Sequence, residues 1–341
     1  TATDPSTTAN VLCEHETRVA NLAISLDSRW IVTGGRDLNA RLYDLTPKDP
    51  AVTERILSGH DERVLNAAFS PDGKFLATVS WDTTARLWDL NSEGPAKAPV
   101  VLEGHEGNVN AVTFSPNSRW LLTGCYDSTA RLWDIQNEIP ATSSIELDGY
   151  QSPGYPEVGA AFSPDSRWLV TSGVDSTARL WDLTEADPMS PLVLVGHNDD
   201  VLSVAISGDG RWLGTGSLDG TVRIWDLESE NRSGTCRVLK GHQGVVTAIE
   251  FSPDSRTLLS SSHDGTVRAW SVSTGQHLMN IHRSPVGIND MAISIDGKRL
   301  AVIENRKQVR VYALGLEADR SPLQNQIEIS ETTPSVDRLL K

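Results

Sequence analysis

Hydrophobic and polar positions alternate in short runs along nearly the whole chain. "VLNAAFS" (64–70), "FLATVS" (75–80) and "ARLWDL" (85–90) each have the length and the two-residue period of a half-buried strand. "PDGK" (71–74) is a turn and "WDT" (81–83) a loop between them. In "ARLWDL" the alternation puts Arg86 and Trp88 on one sheet face and Leu87 on the other. Shorter runs at 55–57 ("RIL") and 100–102 read as a fourth strand. No segment sustains a helical period, and no apolar run reaches membrane-spanning length. The pattern predicts an all-β chain.

The same block returns at a spacing of about 45 residues. His15, His60 and His105 open three units; Tyr150 takes the next place, followed by His197, His242 and His282. The third strands end "RLYDL" (41–45), "RLWDL" (86–90), "RLWDI" (131–135), "RLWDL" (179–183), "RIWDL" (223–227), "RAWSV" (268–272) and "RVYAL" (310–314), which makes seven units. Gly-His before the first strand and Trp-Asp closing the third resemble the WD40-repeat family, over about residues 10–314. That resemblance implies one seven-bladed WD40 β-propeller with four antiparallel strands per blade, residues 1–314 as a single domain and 315–341 as a tail. It also implies that His, Ser/Thr, Asp and Trp form a hydrogen-bonded tetrad inside a blade.

The tetrad positions are His60, Thr78, Asp82 and Trp88; His105, Thr123, Asp127 and Trp133; His197, Thr215, Asp219 and Trp225; and His242, Ser260, Asp264 and Trp270. Unit one offers His15, Thr33, Asp37 and Tyr43. Such groups between two sheets need each other, because a buried polar group without a partner is costly. Thr, His and Asp together also look like a hydrolytic triad, but a catalytic triad is needed once and this set recurs. Units four and seven depart: Tyr150 replaces His, and in unit seven Arg306 or Asn305 stands at the Asp place. Those two blades are expected to rely more on packing. Two basic rows also repeat, one headed by Arg29 and Lys74 and one by Arg41 and Arg86, and local pairing is expected for both. Trp30, Trp120, Trp168 and Trp212 are expected to cover the Pro-containing linkers.

The chain start aligns with an inter-repeat linker: "TATDPSTTANVLCEH" matches "TPKDPAVTERILSGH" without a gap. The expectation is a piece cut from a longer protein, resembling bacterial WD40 arrays appended to signalling proteins. Residues 9–14 would then supply the fourth strand of the last blade and close the ring, with "LQNQIEIS" (323–330) as the alternative.

Function must be sought where equivalent positions differ in chemistry. In the family, three positions per blade face one mouth of the ring. Before the tetrad Asp stand Arg36, Trp81, Tyr126, Val174, Leu218 and His263. Before the first-strand Val stand Arg18, Arg63, Asn108, Glu157, Asp200 and Val245, and after it Ala20, Leu65, Asn110, Gly159, Leu202 and Thr247. The expected partner-binding set is Arg18, Arg36, Arg63, Leu65, Trp81, Asn108, Tyr126, Asp200 and His263. Arg, Trp and Tyr dominate binding energy at interfaces, and Arg grips a carboxylate or phosphate with two bonds. A protein or peptide partner with an acidic or phosphorylated segment follows, bound by a non-catalytic, monomeric scaffold. The alternatives are an enzyme built on Glu157, Asp199 and Asp200, or a nucleic-acid-binding propeller. A net charge of −15 counts against the last and against anionic membranes. Three dispersed cysteines, Cys13, Cys125 and Cys236, give neither a disulfide framework nor a zinc spacing, and point to a reducing, cytoplasmic setting. No cofactor or metal is expected.

Overall fold

The turn between the first and second strands carries its own wiring in all seven units. The hydroxyls of Ser25, Ser70, Ser115, Ser163, Ser207, Ser252 and Ser294 donate to the side chain two residues on, an Asp in six units and Asn117 in the third, at 2.5–2.7 Å. That oxygen then accepts the amide of the following basic residue, Arg29, Lys74, Arg119, Arg167, Arg211, Arg256 or Lys298, at 3.0–3.1 Å. The residue between them has a positive φ, from 58° at Ser28 to 75° at Gly210, so only Ser and Gly stand there. This is what the recurring "SPDSR" and "SPDGK" encode.

The computed structural model describes residues 19–46, 53–90, 98–127, 129–137, 140–142, 144–147, 159–184, 190–294, 296–305 and 308–314. They form seven antiparallel sheets. Sheet one is Val19–Ile24, Trp30–Gly35, Ala40–Asp44 and Arg55–Leu57; sheet two is Val64–Phe69, Phe75–Ser80, Ala85–Asp89 and Val100–Leu102. Sheet three is Val109–Phe114, Trp120–Cys125, Ala130–Asp134 and Ser144–Leu147; sheet four is Ala160–Phe162, Trp168–Ser172, Thr177–Asp182 and Leu192–Val195. Sheet five is Val201–Ile206, Trp212–Ser217, Val222–Asp226 and Arg237–Leu239; sheet six is Val246–Phe251, Thr257–Ser262, Thr266–Ser271 and His277–Arg283. Sheet seven shows three strands among the described residues, Ile288–Ile293, Arg299–Glu304 and Gln308–Ala313. Both segments expected to complete it, 9–14 and 323–330, lie outside the described residues.

The chain divides into two compact units, Thr1–Glu157 and Val158–Lys341. In the first unit, Trp88 packs with Trp30, Val32 and Leu42 of sheet one, while Leu87 packs with Val109, Leu121 and Trp133 of sheet three. The alternation of "ARLWDL" thus feeds two different cores, one on each side of sheet two. In the second unit, Trp225 packs with sheet four and Trp270 with sheet five, and Leu259, Val267 and Ala269 pack with sheet seven. Gly59 and Gly104 of the Gly-His pairs have φ of 147° and 140°. A Cβ on Gly59 would meet only the movable Arg86 guanidinium, so it is the positive φ that favours glycine there.

Each first strand but that of sheet four carries a register shift near its start. Val64 pairs with Ser80 and Asn66 with Val79, leaving Leu65 as the extra residue; Asn110, Leu202, Thr247 and Asn289 hold the same place in their sheets. A β-bulge re-aims its side chain and ends regular pairing. Outside sheet four, the positions read from sequence as following the first-strand Val are therefore bulge positions.

Candidate partner-binding site

The repeated polar residues come together first. In sheet two, the Trp88 indole donates to Thr78 Oγ1 at 3.0 Å, and Thr78 meets His60 Nε2 at 2.9 Å. His60 Nδ1 meets Asp82 Oδ2 at 2.7 Å, and that carboxylate also takes the Asp61 amide and the Thr84 hydroxyl and amide. Arg86 Nε also lies 3.3 Å from His60 Nδ1, so both ring nitrogens are held by partners. Sheets five and six repeat the set through His197, Thr215, Asp219 and Trp225 and through His242, Ser260, Asp264 and Trp270, with every link between 2.7 and 3.2 Å. Sheet three keeps His105, Thr123 and Trp133, with Asp127 at 3.4 Å from the ring. Burial holds the His105 imidazole down at about 4. Burial alone would raise Asp127, but the Thr129 hydroxyl and the Glu106 amide outweigh it and hold the carboxyl at about 2.

His105, Cys125 and Asp127 also offer three potential metal-ligand atoms within 4.8 Å of one another. Their chemistry fits a tetrad better. Both His105 nitrogens face Thr hydroxyls, at 2.8 and 3.1 Å. Burial pushes the Cys125 thiol up to about 12, and its sulfur accepts the Asp127 amide. Ser80, Ser217 and Ser262 do the same for Asp82, Asp219 and Asp264, so Cys125 is a serine substitute within the scaffold. The likeness to a hydrolytic triad fails on burial: Thr78, Thr123, Thr215 and Ser260 are fully inside, out of reach of a substrate.

Sheets four and seven depart from the tetrad, as expected, and sheet one is described in part. In sheet one, the Tyr43 hydroxyl donates to Glu54 at 2.7 Å and Asp37 pairs with Arg41, while His15 lies outside the described residues. Tyr43 is thereby tied to the approach of the following strand. In sheet four, Trp181 still donates to Thr171 at 3.0 Å, but Asp175 bonds Arg179; Tyr150 lies outside the described residues. In sheet seven the expectation at Asn305 or Arg306 is corrected. The carboxylate is Glu304, buried, with His282 at 2.6 Å and Arg310 at 3.2 Å. The signal was available: every pairing of ring and carboxylate in sheets two, three, five, six and seven spans 22 residues.

Most of the repeated basic residues pair locally. Arg29, Arg119, Arg167 and Arg211 bind the Asp of the Trp-Asp or Tyr-Asp pair, Asp44, Asp134, Asp182 and Asp226. Each guanidinium also lies 4.5–4.7 Å from the ring of the next residue, Trp30, Trp120, Trp168 or Trp212. Those tryptophans thus sit beneath arginines, and Trp168 also meets a linker residue, Arg232, at 5.0 Å; linker residues 91–97, 138–139 and 185–189 lie outside the described residues.

The non-repeated positions are brought together by a shared bond. The amide of the residue before the tetrad Asp donates to the carbonyl of the residue before the first-strand Val. Trp81 thereby joins Arg63 at 3.2 Å, and Tyr126 joins Asn108 at 3.0 Å. The Arg63 guanidinium carbon lies 3.4 Å from the Trp81 ring centroid. Arg36 is exposed, Tyr126 is 38% exposed, and Leu65 is half-buried on its bulge. Neither Arg36 nor Arg63 has a carboxylate partner among the described residues, unlike most of the scaffold arginines. Arg18 lies outside the described residues. Asp200 and His263 belong to the second unit, where the same bond links Asp200 to Leu218 and Val245 to His263. Burial, with Asp199 and Asp175 nearby, raises the Asp200 carboxyl. Asn110 was not in the expected set, yet it is only 5% exposed and its side chain makes no hydrogen bond.

Seven repeated sheets and a recurring polar tetrad define a repeat-built all-β protein. Six stretches, residues 6–44, 52–89, 97–134, 147–182, 190–226 and 234–271, match the WD40 family, described as WD domain, G-beta repeat. The chain belongs to that family, whose repeats commonly mediate protein–protein interaction and are typically non-catalytic. No curated protein matches the chain.

Proposed function

We propose that the chain is a non-catalytic interaction module that binds a protein or peptide segment at the variable end of its first unit, through Arg36, Arg63, Leu65, Trp81, Asn108 and Tyr126. One observation carries this reading: the Arg63–Trp81 stack joins a cation lacking a carboxylate partner among the described residues to an aromatic face, a pairing of residue types that no other unit has at these positions. Arg and Trp are the residues that concentrate binding energy when a partner desolvates them. In the same reading Asp200 and His263 serve the second unit. In this reading the seven sheets are blades of one propeller spanning 1–314, with residues 9–14 as the fourth strand of the last blade, in a cytoplasmic protein.

The test is site-specific photo-crosslinking. A photoreactive phenylalanine at Tyr126 is expected to give a discrete adduct that Trp81→Ala abolishes. The same probe at Ile56, an exposed fourth-strand residue, is the control. Equal adducts from both positions, or none from Tyr126, would refute the reading.

A further inference from the structure

One loop of the first unit holds an exposed apolar side chain in a backbone conformation that the side chain resists. Between the second and third strands, the residue after the loop Asp has a positive φ in sheets one, two, four, five and six: 66° at Leu38, 70° at Thr83, 63° at Ser176, 75° at Gly220 and 79° at Gly265. Glycine takes this conformation freely, whereas a larger residue sets its Cβ against its own carbonyl oxygen. Across units one to six, Leu38 is the one large apolar residue at this place, and it is 40% exposed. Gly and Ser make the same turn elsewhere, so neither the turn nor a core calls for leucine. The loop is also wired differently. In sheets two to six, the hydroxyl of Thr84, Thr129, Thr177, Thr221 or Thr266 donates to the carboxylate of that Asp. In sheet one Asn39 takes the threonine place and donates to the Asp37 carbonyl at 2.9 Å, while the Asp37 carboxylate pairs with Arg41.

Packing between sheets one and two places this loop. A Cβ on Gly34 would lie 3.0 Å from Val64 Cγ1 and 3.2 Å from the Val64 carbonyl oxygen. The strand that runs on to Arg36 and Leu38 thus abuts the segment that carries Arg63. Gly220 holds the place of Leu38 in sheet five, and a Cβ there would be 3.3 Å from the Gly244 carbonyl oxygen. Gly244 and Val245 correspond to Glu62 and Arg63. By the same repeat, Leu38 borders the Glu62–Arg63 segment. Single exposed apolar residues are ordinary, but one kept at the cost of backbone strain is not, and such strain concentrates where ligands are gripped. Burying Leu38 against an apolar group of a partner recovers hydrophobic free energy that the free chain forgoes.

Resting on the binding role proposed above, we infer that Leu38 is a specificity-determining residue of this end. It takes an apolar side chain of the bound segment next to the contact made by Arg63 and Trp81.

Short randomised peptide libraries, each with its central residue fixed as Leu, Phe, Ser or Lys, test this on the intact chain. Wild type is expected to retain the Leu and Phe libraries about fivefold better than Ser or Lys. Leu38→Ser should erase that preference with a Tm within about 2 °C of wild type, because Ser176 holds the same conformation in sheet four. Leu38→Gly should erase it too and raise the Tm, because the strain goes with the side chain. Thr83→Gly relieves strain without removing an apolar contact, and should keep the preference. A preference that survives both Leu38 variants, or a Tm several degrees lower in both, would overturn the role of Leu38. Loss of the preference in Thr83→Gly would assign the effect to strain in this end and overturn it as well. If Tyr126 gives its adduct while wild type shows no preference, the binding face stands and this inference falls. If neither adduct nor preference appears, both fall.

Discussion

Trp81 and Trp88 belong to one sheet and are each followed by Asp, yet they are held in opposite ways. The Trp88 nitrogen meets Thr78 at 3.0 Å inside a relay of four side chains, and its ring fills a core. The Trp81 nitrogen makes no hydrogen bond among the described residues, and its ring is capped by the Arg63 guanidinium. Satisfied polar networks add rigidity. Trp88 is therefore part of what keeps the sheet folded, while Trp81 stands outside that relay.

The sharpest break in that contrast is Trp88→Ala, expected to cost about 3–5 kcal/mol in denaturant unfolding, since it opens a core cavity and strands Thr78. Trp88→Phe keeps an aromatic ring in the core but leaves a smaller cavity and strands Thr78, and should cost about 2–3 kcal/mol. A loss below about 1 kcal/mol for the alanine variant would show that the tetrad is not what holds the sheet.

Acid probes the tetrad layer next. His105 titrates near 6.5 when unfolded and at about 4 in the fold, so the unfolded chain takes the proton first. Its contribution is complete above pH 6.5 and fades as pH falls toward 4. Asp127, held at about 2 against an ordinary 3.8, withdraws more between those values. Urea midpoints should fall between pH 7 and pH 4.5, and His105→Gln should flatten that slope; an equal slope in the variant would reject His105 as the cause.

Trp81→Phe should leave stability within about 1 kcal/mol of wild type, or raise it, while weakening the crosslinked partner about tenfold. The smallest effect is Cys125→Ser, expected to shift stability by under about 1 kcal/mol, because serine already does this work in sheets two, five and six. A larger loss would show that the thiol has a separate role.

Strand positions were legible because period-2 alternation and a fixed repeat reinforce each other. Val64–Phe69, Phe75–Ser80 and Ala85–Asp89 fall within a residue of their sequence reading. Tetrads were legible wherever four residue types kept their spacing. Glu304 was missed because it stands where other sheets carry Ser or Cys, and only distance from His282 reveals it. The unmet state of Asn110 could not be read at all: composition shows which groups can bond, while burial decides which are left without a partner. Likewise the local ties of Tyr43 and Glu54 depend on where a loop brings the next strand.

The serine–aspartate turn has a kinetic corollary. Its bonds close within five residues, in all seven sheets, before any distant contact is needed. Every hairpin thus carries its own nucleus, and propagation can begin from any of them. Folding speed should consequently be insensitive to the loss of one such turn, even where final stability is not.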